Sequence, residues 1–104
     1  MAGAVIAVAV AAAALAEQSG RPLLLVANQG DHTLSLIDPR AGKEIVAIPV
    51  GGVTGHEVAV SADGKLAYVA CNFSDQVAVV DLAGWKVQKL ITAGKFADGM
   101  AVVQ

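Results

Sequence analysis

The chain has 104 residues, of which 56% are hydrophobic, 15% charged and 4% aromatic, and its formal net charge is −2. That length admits one domain at most, which excludes a cofactor fold joined to a separate substrate domain. A pI near 5.5 leaves no basic footprint to displace counterions from phosphates, so nucleic acid is excluded as a partner, as is a polybasic membrane patch.

The mean hydropathy of +0.63 is concentrated at the N-terminus. Residues 2–16 are all Ala, Gly, Val, Ile or Leu. This run is shorter than the roughly 20 apolar residues that a membrane-crossing helix needs, so no stable span is expected. It ends in Ala14-Leu15-Ala16, a small-x-small pattern that signal peptidase accepts, followed by Glu17, Gln18 and Ser19. These features predict an apolar signal helix over 1–16, a linker over 17–22 and a periplasmic or secreted mature chain. The region before the apolar run has no Lys or Arg, which leaves open a start placed too late or an uncleaved interfacial anchor.

The remainder is a repeat. Displaced by 43 residues, 23–61 lies over 66–104 without a gap. Val26-Ala27 meets Val69-Ala70, Asp38 meets Asp81, Lys43 meets Lys86 and Gly51 meets Gly94. A period of this length fits propeller blades or paired-helix repeats. The apolar runs are short, rich in Val and Ile, and bounded by Gly, Asp, Asn and Pro, which selects strands. The spacing predicts strands over 23–28, 34–38, 43–49, 57–61, 66–71, 77–81, 86–92 and 99–104. Ser61-Ala62-Asp63-Gly64-Lys65 reads as a hairpin in which Gly64 takes a positive φ, and Asp38 and Asp81 as caps on the turns that follow them.

Leu66-Ala67-Tyr68-Val69-Ala70-Cys71-Asn72, preceded by Ser61-Ala62-Asp63-Gly64-Lys65 and followed by Val77-Ala78-Val79-Val80-Asp81, resembles the YVTN repeat of bacterial β-propellers. Leu25-Val26-Ala27-Asn28 with Leu34-Ser35-Leu36-Ile37-Asp38 looks like a second copy. The resemblance implies an all-β, partial β-propeller of four-stranded antiparallel blades, with repeats over 23–61 and 66–104. It further implies that 57–92 forms one whole blade, 23–49 three outer strands of another, and 99–104 a lone inner strand. Two repeats cannot close a ring that needs about four blades or more. Three arrangements follow: a truncated or internally deleted propeller, a homo-oligomer in which 99–104 of one copy completes 23–49 of the next, or a small β domain that stands alone or docks on another propeller.

In such a fold the channel-face loops are 28–33, 51–56, 72–76 and 93–98, which makes His56, Asn72 and Asp98 the candidate ligand-binding residues. An imidazole beside the Glu57 carboxylate has acid–base or metal-binding chemistry, but adjacent residues on a strand point to opposite faces. His56 reads equally as a loop histidine, and Asp98, ahead of Gly99, as a turn residue. Asp31-His32 is a weaker pair of the same kind. Two histidines without a third ligand make a poor zinc site, so no metal and no cofactor is expected. Asn72-Phe73-Ser74 fits the glycosylation pattern of a eukaryotic secretory host. Cys71, the sole cysteine, excludes an internal disulfide and reads as a small buried hydrophobe or a reactive thiol. No Ser–His–Asp arrangement is legible. The sequence therefore predicts an exported binding or scaffolding module for a protein or small-molecule ligand, without catalysis of its own. The alternative implied by the resemblance is a piece of a propeller enzyme, either a lactonase-like hydrolase or a periplasmic metal or haem oxidoreductase.

Overall fold

The computed structural model describes residues 13–18, 21–52 and 55–103. They form strands β1 (Ala13–Gln18), β2 (Arg21–Asn28), β3 (Thr33–Asp38), β4 (Lys43–Pro49), β5 (Gly55–Val60), β6 (Leu66–Cys71), β7 (Gln76–Asp81) and β8 (Lys86–Thr92), with a short 3₁₀ turn at Asn72–Ser74. There is no α-helix among the described residues. Strands β1 to β4 make one four-stranded antiparallel sheet and β5 to β8 a second, each strand pairing with its neighbour in sequence. Short connections between Val- and Ile-rich runs dictate this meander, because antiparallel neighbours need only a tight turn.

Seven strands fall where the apolar alternation predicts them, and the chain departs from expectation at its two ends. Residues 13–16, expected as the end of a signal helix, lie in β1 instead, paired with β2 from Ala13↔Val26 to Gln18↔Arg21. The expected linker over 17–22 is likewise largely strand, since Glu17 and Gln18 close β1 and Arg21 and Pro22 open β2. The rest of the expected signal, 1–12, lies outside the described residues. The physical reason is the free edge of β2, whose unpaired N–H and C=O groups take an alanine-rich partner despite its helical preference. The first sheet thus already has an inner strand, the part that 99–104 of a neighbouring copy would supply in one of the three arrangements. At the other end, 99–103 forms no strand. An inner strand needs an outer neighbour to pair with, and none follows it among the described residues.

The two sheets share one core. Leu23, Leu25, Ala27, Leu34, Leu36 and Ile48 of the first meet Val58, Val60, Ala67, Val69, Ala78 and Val80 of the second. Each of the larger side chains contributes about 1.5–3 kcal/mol on burial. Val77-Ala78-Val79-Val80, apolar on both faces, is buried at its last three positions.

The repeat extends to backbone conformation. His32 and Asp75, one period apart, are both left-handed at φ 57 and 55, as are Gly42 and Trp85 at 65 and 56. The Val50 amide donates to the His32 carbonyl at 3.1 Å, and the Ala93 amide to the Asp75 carbonyl at 2.8 Å. The Asp38 carboxylate accepts from the Arg40 and Ala41 amides at 2.9 and 3.1 Å, and Asp81 from the Ala83 amide at 3.0 Å, the capping that the sequence predicts.

In the 61–65 hairpin Gly64 takes the expected positive φ of 73. Asp63 accepts from the Ser61 hydroxyl at 2.7 Å and the Lys65 amide at 3.0 Å. The Ser61 bond first, then the Lys65 amide, hold its carboxyl below the ordinary aspartate range. A depressed folded pKa stabilises the fold above the unfolded value of 3.8 and ceases to do so as pH falls through the folded one. Asp63→Asn is therefore expected to lower stability slightly at neutrality and to converge with wild type as pH falls below about 4, which flattens the acid limb. Urea melts of both proteins across that range check it.

Candidate functional site

The three residues singled out in the sequence come together at one end of the second sheet, where the segment after β8 folds back. The fold-back begins with the left-handed Asp75, which the αL-tolerant aspartate side chain suits. Its carbonyl receives the Ala93 amide, and its Oδ1 the Phe96 amide at 2.9 Å. Phe73 and Phe96 meet edge to face, with centroids 6.0 Å apart. Asn72 Nδ2 donates to the Ala97 carbonyl at 3.4 Å.

His56 Nδ1 lies 2.6 Å from Asp98 Oδ1. That nitrogen is shut off from water, yet the carboxylate does not lie along its N–H direction, so the pair is a close contact without an aligned hydrogen bond. Both side chains keep substantial exposure, 37% for His56 and 56% for Asp98, which limits the contact to a small share of stability. Glu57 Oε2 accepts from the Met100 amide at 3.0 Å. A bulge between Gly55 and Glu57 breaks the strict alternation here. His56 and Glu57 do not act on a common atom, but both contact the 98–100 segment, His56 through Asp98 and Glu57 through the Met100 amide.

Sequence reasoning named Glu57 only as the neighbour of His56 and missed Asp75. Asp75 was readable only through the left-handed backbone that it shares with His32. Asp31-His32 sits apart, in the exposed turn between β2 and β3, with the His32 amide donating to the Asn28 carbonyl at 2.9 Å. Among the described residues no three of His, Cys, Asp and Glu gather closely enough to hold a metal ion. Cys71 is fully buried, its thiol 3.6 Å from the Val69 carbonyl, and desolvation pushes its pKa up, which disfavours the reactive thiolate. Trp85, in the turn between β7 and β8, is 45% exposed.

No protein-family model matches the sequence, and no curated protein matches it. Among solved structures the chain is similar to Kuenenia stuttgartiensis hydrazine synthase, with a TM-score of 0.69 and 32% identity. The likeness covers 71% of this chain and 21% of that one. The chain therefore spans about a fifth of that protein's length.

Proposed function

We propose that the chain is a pair of YVTN-type β-propeller blades that serves, outside the cytoplasm, as a binding and scaffolding module. The observation that carries this reading is the convergence of His56, Asn72 and Asp98 on one sheet end. Two meander sheets stacked face to face, repeating at 43 residues, support the propeller part of it. The site offers an imidazole, carboxylates and an amide beside two exposed aromatic rings, suited to a small polar ligand or a peptide loop.

A second reading is favoured by the likeness to hydrazine synthase: the chain is a structural portion of a larger enzyme. The catalytic forms of that reading, lactone hydrolysis or metal-dependent redox chemistry, require His56 to act on substrate or metal.

One set of measurements separates the two. The full chain and its His56→Ala and Asn72→Ala variants are screened by thermal shift against small polar metabolites, Ca²⁺ and Cu²⁺, and assayed for lactone hydrolysis. The binding module predicts a ligand-induced rise in Tm that is lost in Asn72→Ala, with no turnover. Lactone hydrolysis abolished by His56→Ala supports the enzyme reading. A metal-induced rise in Tm lost in His56→Ala supports its metal-dependent form. The absence of any shift or turnover defeats both as properties of the isolated chain.

A further inference from the structure

Phe73 and Phe96 stand at the site in a way that burial does not explain. Both remain largely in water, at 65% and 63% exposure, although large apolar side chains ordinarily turn inward. Phe96 is moreover left-handed, at φ 54, a conformation that crowds the Cβ of a bulky residue. The Asp75 carboxylate holds it there by accepting the Phe96 amide. Backbone strain of this kind gathers where ligands are clamped, and here its result is a ring presented to solvent.

The two rings define what they can receive. With planes 76° apart and centroids 6.0 Å apart, they form two walls of an open corner. Each wall offers the negative face of a π-system, which attracts cations. The charges around the corner favour the same occupant. An aspartate follows each phenylalanine by two residues, Asp75 after Phe73 and Asp98 after Phe96. Glu57 joins them through the Met100 amide. These three carboxylates, set against Lys95, the one Lys or Arg of the two loops, give the cluster a formal charge of −2 with His56 neutral. A metal ion does not suit it, since among the described residues no three metal-ligating side chains gather. A primary ammonium would give up hydrogen bonds to water that aromatic faces cannot replace, whereas an alkylated one has few to lose.

The geometry points to a binding site for an alkylated ammonium group, seated between Phe73 and Phe96 in the field of Asp75 and Asp98. This rests on the binding-module reading above and gives the ligand of that module a chemical class.

The test titrates the full chain, followed by its amide resonances in NMR, with choline and with the uncharged analogue in which carbon replaces the choline nitrogen. Choline is expected to shift residues 72–76 and 94–98 and to bind about tenfold more tightly than the analogue. Phe96→Asn places a residue that tolerates the left-handed backbone, so the fold survives while choline affinity falls about tenfold. Phe96→Tyr keeps the ring and the affinity. Asp98→Asn weakens choline severalfold and leaves the analogue unchanged. Equal affinity for choline and the analogue, or shifts confined to other parts of the chain, overturn the ammonium site and leave the binding-module reading standing. So does a choline that fails to bind while another ligand raises Tm through Asn72. If no ligand binds at all, both fall together. If Phe96→Asn proves unfolded by circular dichroism, Phe73→Leu decides: undiminished choline affinity in that variant overturns the site.

Discussion

Leu36→Ala is expected to destabilise the fold by about 2–5 kcal/mol, a large part of what a chain of this size possesses. Leu36 sits on β3, is fully buried, and lies between the two sheets rather than at a rim. Its cavity is bordered by β2 and β4, paired at Leu25↔Leu36 and Leu36↔Val46 with a register shift just after Leu36, and by the close-packed second sheet, which hinders collapse to fill the space. Because one core serves both sheets, loss of this side chain unfolds them together, and a single cooperative transition shifts to lower denaturant. Ile45→Ala, at a side chain 43% exposed on β4, is the control and should cost less than about 1 kcal/mol. Denaturant melts of both variants read the contrast. A cost for Leu36→Ala no larger than the control's would show that the two sheets do not share a packed interior.

Gly52→Ala is the second change of large effect, at about 1–3 kcal/mol. A Cβ on Gly52 would lie 2.5 Å from the Cys71 sulfur and 2.7 Å from its Cβ, closer than side chains tolerate. Gly52 lies in the connection from β4 to β5, and the clash would push that connection away from the end of β6, where the 3₁₀ turn with Asn72 begins. The origin of the cost is testable. Cys71→Gly alone opens a small cavity, yet in combination with Gly52→Ala it removes both the sulfur and the Cβ that clash. The double variant should therefore be more stable than the sum of the single losses predicts, by about 1 kcal/mol or more. Thiol labelling supplies a second readout: Cys71 is buried and reacts slowly in the wild type, and displacement of the connection in Gly52→Ala should speed it severalfold. Additive costs with unchanged labelling would place the strain elsewhere.

The strands were legible because alternation and turn residues are local signals, and they were supplied twice. The bounds of β4, β6 and β8 match the predicted ranges to the residue. Strand β1 was not legible, since alanine-rich sequence suits a signal helix as well as it suits a strand. Only the empty edge of β2, a tertiary feature, decides between them. Residues 99–103 show the converse: their pattern is that of a strand, but a strand exists only with a partner. At the site, the sequence placed His56, Asn72 and Asp98 on loops of one end, which the fold-back of 93–100 then drew together. It offered Glu57 only as a neighbour of His56 and did not reveal Asp75, because both work through backbone amides of residues far along the chain, Met100 and Phe96, and such contacts leave no trace in spacing.

Strand β1 also sets a constraint on the order of events in the life of the molecule. A peptidase that cuts after Ala16 must bind the preceding residues as an unpaired, extended segment, whereas the ladder joins Ala16 to Leu23 and Ala13 to Val26. The same backbone groups cannot serve both partners at once. If the sheet closes first, the bond after Ala16 is sheltered and residues 13–16 stay in the ladder. If the cut comes first, β2 is left with a bare edge and only Glu17 and Gln18 of its neighbour. In an exported chain, as proposed above, cleavage and folding compete for one short stretch, and the mass of the protein recovered records which is faster.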